Sequence, residues 1–331
     1  MKALCIGESL LEITCPVNEI ITENQNLRLE EKIECGAGHA GNIAYLLGKW
    51  GVETYIASML GADDAADRIK KEYEAIGVKN DYLETSYDKS TAQNLVLINK
   101  TTKNKTVFEI SSNTNLKKYS FVIEPDLIIA DGNDYSATVA ACDKYSSAKK
   151  FLKVSRNHNQ ILELCKYANY IVFNRETSEK ITNMTIDFND SSTLVNVYNR
   201  LKQKYNKAEL IITLGERGCI YSVNGQIKIM PTIRVEVSDT NGAGDIFVGA
   251  FAYGIGRNFG LEKSLAYATI ASSFSTTKIT SRMSIPSITE VSSYYDNKFG
   301  VENNPNNQNN VGANESAVNE NVSVVSDNNA N

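Results

Sequence analysis

The feature that most limits the folds open to this chain is a regular alternation of short apolar runs with amphipathic stretches. "MKALCIGESLLEITC", with "KALCIGE" at its heart, reads as a first strand. "AGNIAYLLGKWG" then shows helical spacing and a glycine stop. "ETYIASML" is strand-like, and "ADDAADRIKKEYEAIG" carries early acidic residues and stops at Gly77, as a helix does. "QNLVLIN" and "KTVFEI" flank the turn-rich "KTTKNK", a predicted hairpin, and "ERGCIYSVNGQIKIM" predicts another. Between them "PDLIIADG", "KFLKVS", "YIVFN" and "ELIITLG" read as strands. "YSATVAACDKYSSA", "QILELCKYA", "LVNVYNRLKQKY", "GDIFVGAFAYGIG" and "LEKSLAYATIASSFSTT" read as helices. Such alternation predicts an α/β fold, a three-layer αβα sandwich around a mainly parallel sheet. Ligands in such sheets bind beyond the carboxyl ends of the strands. A site is therefore expected in the loops after "KALCIGE", "YIVFN" and "IITLG" and before "GDIFVG".

Composition narrows the function. The 42% hydrophobic and 22% charged residues fit a globular protein with a sizeable core, and a net charge of −5 offers no electrostatic footprint for nucleic acid. No apolar run reaches membrane-spanning length, and the N-terminus lacks the layout of a signal peptide. Six cysteines without a C-x-x-C pair read as free thiols in a reducing compartment, so a cytoplasmic location is expected. With only His39 and His158 present, and neither in a recognisable triad, base chemistry falls to a carboxylate or a lysine. Residues 1–300 read as one folded unit. Residues 301–331, rich in Asn and without aromatics or periodicity, read as a disordered tail.

The most informative segment is "VSDTNGAGDIFVGAFAYG", Val237 to Gly254. It runs from a strand end into a helix. Gly242, Ala243 and Gly244 leave the backbone N–H groups open to close approach, and they fall at a helix N-terminus, where negative charge is favoured. Asp245 lies in the first turn beside that anion site, where it can accept a proton from an attacking hydroxyl. Helix capping alone also accounts for G-x-G-D. The longer string "DTNGAGD", followed by Gly249, Ala250 and Phe251, strongly resembles the C-terminal D-T-x-G-A-G-D fingerprint of the ribokinase/PfkB family of carbohydrate kinases. That resemblance implies a ribokinase-like fold with a small β lid, ATP as co-substrate with Mg²⁺, and a sugar as acceptor. It implies Gly242, Ala243 and Gly244 as the anion hole, Asp245 as the catalytic base, and Asp239 beside a monovalent cation such as K⁺.

Further segments resemble the family in order. "CGAGHAGNIAYLLGKWG" is similar to the sugar-holding segment, with Gly38 and Asn42 matching. "SMLGADDAADRIKKEYEAIGV" is similar to the stretch that follows it. "IITLGERGCIY" is similar to the nucleotide segment, with Thr213, Gly215 and Gly218 in place, and "SIPSITEV" to the usual ending. "FNRETSEKIT" is similar to the family's N-x-x-E segment, a likeness that implies Asn174 beside the metal and phosphates. The resemblance also implies a lid from residues 12–36 and 88–115, through which a homodimer can form. Four departures stand out: Glu12 for the usual substrate-binding Asp, Thr177 for a Glu, no Asp within "LKVSRNHNQ", and Thr280 where a Gly is common. These departures keep a non-catalytic sugar or nucleotide binder open as an alternative, and a nucleoside kinase remains another. A third rival is an NAD(P)-binding oxidoreductase, because Gly36, Gly38 and Gly41 spell G-x-G-x-x-G, with Glu53 near the acidic position. It leaves "DTNGAGD" unexplained.

Overall fold

A computed structural model describes residues 1–18, 22–110, 115–300 and 323–324. The predicted first strand is two strands in different sheets, β1 (Lys2–Ile6) and β2 (Leu10–Val17). The break falls at Gly7, whose φ of +143° suits glycine, and where a Cβ would sit 2.0 Å from the Asp131 carboxylate.

The larger sheet takes the order β14-β13-β12-β11-β10-β9-β8-β1-β4-β5. Its parallel part comprises β1, β4 (Glu53–Gly61), β5 (Lys79–Ser86), β8 (Leu127–Ala130), β9 (Lys149–Val154), β10 (Tyr170–Asn174) and β11 (Glu209–Thr213). The predicted hairpin β12 (Cys219–Val223) and β13 (Gln226–Met230) adds antiparallel strands, and β14 (Ser323–Val324) pairs with β13. Apart from β14, the segment expected to be a disordered tail lies outside the described residues. A second sheet, β3-β2-β6-β7, unites β2 with β3 (Ile33–Ala37), β6 (Gln93–Asn99) and β7 (Lys105–Ile110). It is the small lid-like sheet expected from the two separate stretches.

Helices cover both faces of the larger sheet. On one side α1 (His39–Lys49), α2 (Asp64–Ala75), α7 (Ala243–Gly256) and α8 (Leu261–Ser275) bury Ile43, Leu47, Ile69, Phe251 and Ile270 in one core cluster. On the other, α4 (Asn159–Leu164) and α6 (Ser191–Lys204) contribute Ile161, Leu164, Val197 and Leu201 to a second, while α3 (Tyr135–Lys144) seals a third around Phe121. Strands buried from both sides read as unbroken apolar runs, which is why "LIIA" and "YIVF" were legible.

Several elements escaped the sequence reading, β5, α5 and α9 among them. β5 is an edge strand with only Ser86 buried, so it lacks the apolar run. Helix α5 (Arg175–Thr182) is polar and short. Helix α9 (Ile288–Phe299) starts at a capping box, with Ser287 and Glu290 satisfying each other's backbone N–H groups.

Thr280 has φ +77° and is buried, and its hydroxyl finds no partner among the described residues. A β-branched residue in the left-handed region is strained. Thr280→Gly is therefore expected to raise stability by about 1 kcal/mol, since relieving 1–3 kcal/mol of strain outweighs glycine's larger unfolded-chain entropy. Denaturant unfolding checks this, and a loss of stability would show that the strain assignment is mistaken.

Candidate active site

Helix α7 opens at Gly242, whose left-handed φ of +74° turns the chain into the helix. A Cβ there would lie 2.7 Å from the Ser281 side chain, so the close approach requires glycine. Asp245, in the first turn, is buried. Its Oδ2 accepts from Asn42 Nδ2 at 2.9 Å, and its Oδ1 lies 2.9 Å from His39 Nδ1 and in contact with Lys153 Nζ. Burial opposes the charge, but the Lys153 ammonium and His39 outweigh it and hold the Asp245 carboxyl well below the ordinary range. His39 and Asn42 come from the start of α1, and Lys153 from the carboxyl end of β9.

Strand alternation places Lys153. Phe151 and Lys153 share one face of β9, and Phe151 meets Phe251 of α7 edge-on at 5.7 Å, while Leu152 and Val154 join the opposite core cluster. Two residues beyond Phe151, the lysine therefore reaches the N-terminus of the same helix. Sequence reading noticed only that this strand lacked an Asp. The signal available was a lysine between the apolar Leu152 and Val154 near the end of a strand covered on both faces.

A cavity of about 560 Å³ lies between the lid and the carboxyl ends of β1, β8 and β9. His39 joins it to Asp245. Its carboxylates are mostly committed. Asp131 accepts the N–H groups of Glu8, Ala40 and Asn133, Asp134 those of Leu116 and Ala137, and Glu109 of β7 pairs with Arg156 at 3.5 Å. Glu8 differs: its carboxylate lines the cavity without a hydrogen bond from the described residues. Burial, then the Asp131 carboxylate, push it above its usual range.

The residues expected to hold substrate sit around this cavity without lining it. Glu12 is buried and accepts from Asn241 Nδ2, and from the Ser281 backbone N–H at 3.4 Å. Burial and then Asp239 push it upward. It fastens strand β2 to the loop before α7 and to the segment after α8. Asn42 orients Asp245, and Gly38, at φ +91°, lets the chain pass the Glu8 carbonyl. Of the residues expected at the nucleotide, Asn174 and Thr213 pair side by side at the ends of β10 and β11. Asn174 Oδ1 caps α5 through Thr177 N–H at 2.7 Å, and Gly215 and Gly218 flank the turn after β11. The Asp239 carboxylate accepts from the N–H groups of Asn241 at 2.8 Å and Thr280 at 3.1 Å. Among the described residues, no three His, Cys, Asp or Glu side chains converge as a metal cluster.

The dinucleotide-like glycines have another purpose. Gly36 lies in the lid strand β3, where a Cβ would fall 1.9 Å from Arg282 Nη1, and at Gly41 one would fall 2.8 Å from the Tyr73 hydroxyl. They make room for a buried arginine, and no strand of the parallel sheet leads into them.

A large, mostly parallel sheet flanked by helices, with a small lid-like sheet beside it, is a ribokinase-like α/β fold. Residues 1–288 match the pfkB family carbohydrate kinase profile, and the chain belongs to that family. It is a phosphotransferase acting on a sugar hydroxyl. It is 24% identical to the deoxyribokinase of Salmonella typhimurium over 89% of this chain and 98% of that protein. To the bifunctional protein HldE of Aliarcobacter butzleri it is 26% identical over 74% of this chain, spanning about half (53%) of that protein. Among solved structures, a putative ribokinase from Agrobacterium tumefaciens superposes with a TM-score of 0.81 at 17% identity, covering 89% of this chain and 97% of that one. The Arabidopsis thaliana ribokinase complexed with ribose and ATP gives 0.71 at 17% identity, covering 88% and 97%. Among the described residues no helix is long and apolar enough to cross a membrane.

Proposed function

We propose that this protein transfers the γ-phosphoryl group of Mg·ATP to a hydroxyl of a small neutral sugar held in the lid-side cavity, with Asp245 as the base. One observation carries the reading: the buried Asp245, its carboxyl held low, stands in the first turn of a helix whose N-terminus at Gly242 carries no side-chain cap. The substrate oxygen forms a bond to the γ-phosphorus as the bond to the β,γ-bridging oxygen breaks. The electron pair leaves with ADP, and the hydroxyl proton passes to Asp245. The Gly242–Gly244 N–H groups stabilise charge on the transferring group. Asn174, Thr213, Gly215 and Gly218 border the nucleotide. Mg²⁺, when bound, would offset the charge of the ATP phosphates, and Asn174 is the residue that would support it. Asp239 is the place for a K⁺ ion, its oxygens retaining lone pairs beyond their two N–H donors. The exposed strand β7, with Phe108 and Ile110 at the surface, suits pairing with a second copy through the lid.

Glu8 supplies the uncommitted acceptor for sugar hydroxyls remote from the reacting one. Glu8→Gln is expected to raise KM for the acceptor at least about tenfold with a smaller change in kcat, as befits a hydrogen bond to a charged group. An unchanged KM removes Glu8 from the substrate contacts.

ADP release from Mg·ATP, measured across pentoses, hexoses, sugar phosphates and nucleosides with Asp245→Asn in parallel, tests the whole reading. Acceptor-dependent turnover lost in the variant supports it and names the substrate. Sugar binding without turnover in the wild type favours a binder on the same fold, to which Thr177 at the usual Glu position already points.

A further inference from the structure

The Lys153 ammonium is placed where the proposed reaction develops charge. It contacts Asp245 Oδ1 and lies 2.7 Å from His39 Nδ1. Its side chain also borders the anion hole: the atom nearest to a Cβ built on Gly244 is Lys153 Cε, at 3.9 Å. Apart from the chain neighbours and the helix's own backbone, nothing else lies within 4 Å of that point, so there is room beside Gly244 with one lysine at its wall. The lysine is mostly buried, with 12% of its side chain exposed. Among the described residues, the charged groups that face it are Asp245 at the start of α7 and His39 at the start of α1.

We propose that Lys153 is a catalytic residue, whose ammonium passes from Asp245 to the oxygens of the transferring phosphoryl group as the nucleotide binds. This rests on the kinase reading above. Backbone N–H groups are dipoles and bring no net charge, whereas the transferring group is anionic. A cation within reach of both the base and the phosphoryl oxygens serves two steps in turn. Before ATP binds, it keeps Asp245 ionised inside the protein. Once its ammonium turns to the phosphoryl oxygens, Asp245 Oδ1 is free to accept the proton of the attacking hydroxyl. Lys153 stays protonated throughout: the proton moves from the hydroxyl to Asp245, and the P–O bonds exchange as described.

The test compares Lys153→Met, Lys153→Gln and Lys153→Arg with the wild type in two measurements. The first is equilibrium binding of ADP alone and of ADP with aluminium fluoride, which mimics the transferring phosphoryl group. Lys153→Met and Lys153→Gln are expected to bind ADP within about threefold of the wild type but the aluminium fluoride complex at least about tenfold more weakly, with Lys153→Arg recovering part of that loss. The second is kcat/KM against pH. Asp245 is faced by Lys153 from β9 and by His39 and Asn42 from α1, with the Glu8 and Asp131 carboxylates further along the cavity. Removing the lysine leaves burial less opposed, so the Asp245 carboxyl rises and the acid limb moves to higher pH. Equal loss of ADP and aluminium fluoride binding, or an acid limb that stays in place in a folded variant, overturns the proposal. Failure of the wild type to bind ADP or to turn over any acceptor defeats the kinase reading itself, which the Lys153 variants cannot do.

Discussion

Asp245→Asn is expected to lower kcat by about 10²–10⁴-fold while the protein stays folded and acceptor KM changes little. The substitution is nearly isosteric, so the amide can keep a contact with Asn42, and Lys153 can still donate to His39 Nδ1 at 2.7 Å. What is lost is an acceptor able to take a proton. Transition-state interactions lower kcat without raising KM when removed, which distinguishes this variant from Glu8→Gln. The wild-type pH profile offers a second check. A carboxylate base acts only when ionised, and Asp245 is held ionised to below the ordinary carboxylate range. Its own acid limb should therefore fall at unusually low pH. A limb near neutrality would belong to another group. Turnover by Asp245→Asn within threefold of the wild type would falsify the base assignment.

The architecture was legible because both core layers impose simple periodicities. Strands buried on two faces appear as apolar runs, and α1 and α7 carry small residues where they cross: a Cβ on Gly249 would meet Leu46 at 3.2 Å. The Asp239–Asp245 motif was legible because it is local, with glycines, a helix start and an acid all contained in seven residues from Asp239. The surrounding polar groups were not, since Lys153, His39 and Asp245 are brought together from three distant parts of the chain by the sheet. Glu12 shows the reverse. Its position in the motif implied substrate contact, but in the fold its carboxylate is directed at Asn241 and Ser281, and Glu8, four residues earlier, reaches the cavity instead. Spacing within a motif does not determine which of two neighbouring acids is free.

Arg282→Met should cost about 3–5 kcal/mol of stability, the range for breaking a buried charge pair. Arg282 is 2% exposed. It donates to Glu72 at 2.8 Å, to the Tyr73 hydroxyl at 2.7 Å and to the Ala37 carbonyl at 3.4 Å, and its guanidinium lies 4.5 Å from the Tyr73 ring centroid. The Glu72 carboxylate also accepts the Gly36 N–H of lid strand β3 at 2.8 Å. One side chain thus joins the segment after α8, the second helix and the lid. Glu72 keeps that N–H and some contact with water when the arginine is removed, which argues for the lower half of the range. The glycine beside it makes the argument testable by coupling. Gly36→Ala forces a methyl group against the guanidinium, so alone it should be destabilising by about 1–3 kcal/mol, the usual cost of overpacking. In Arg282→Met the flexible thioether can move aside, and adding Gly36→Ala should then cost less than it does in the wild type. Urea unfolding of the four proteins reads this directly. Strict additivity would mean that the glycine and the arginine do not share the space, and that Gly36 is needed for some other reason.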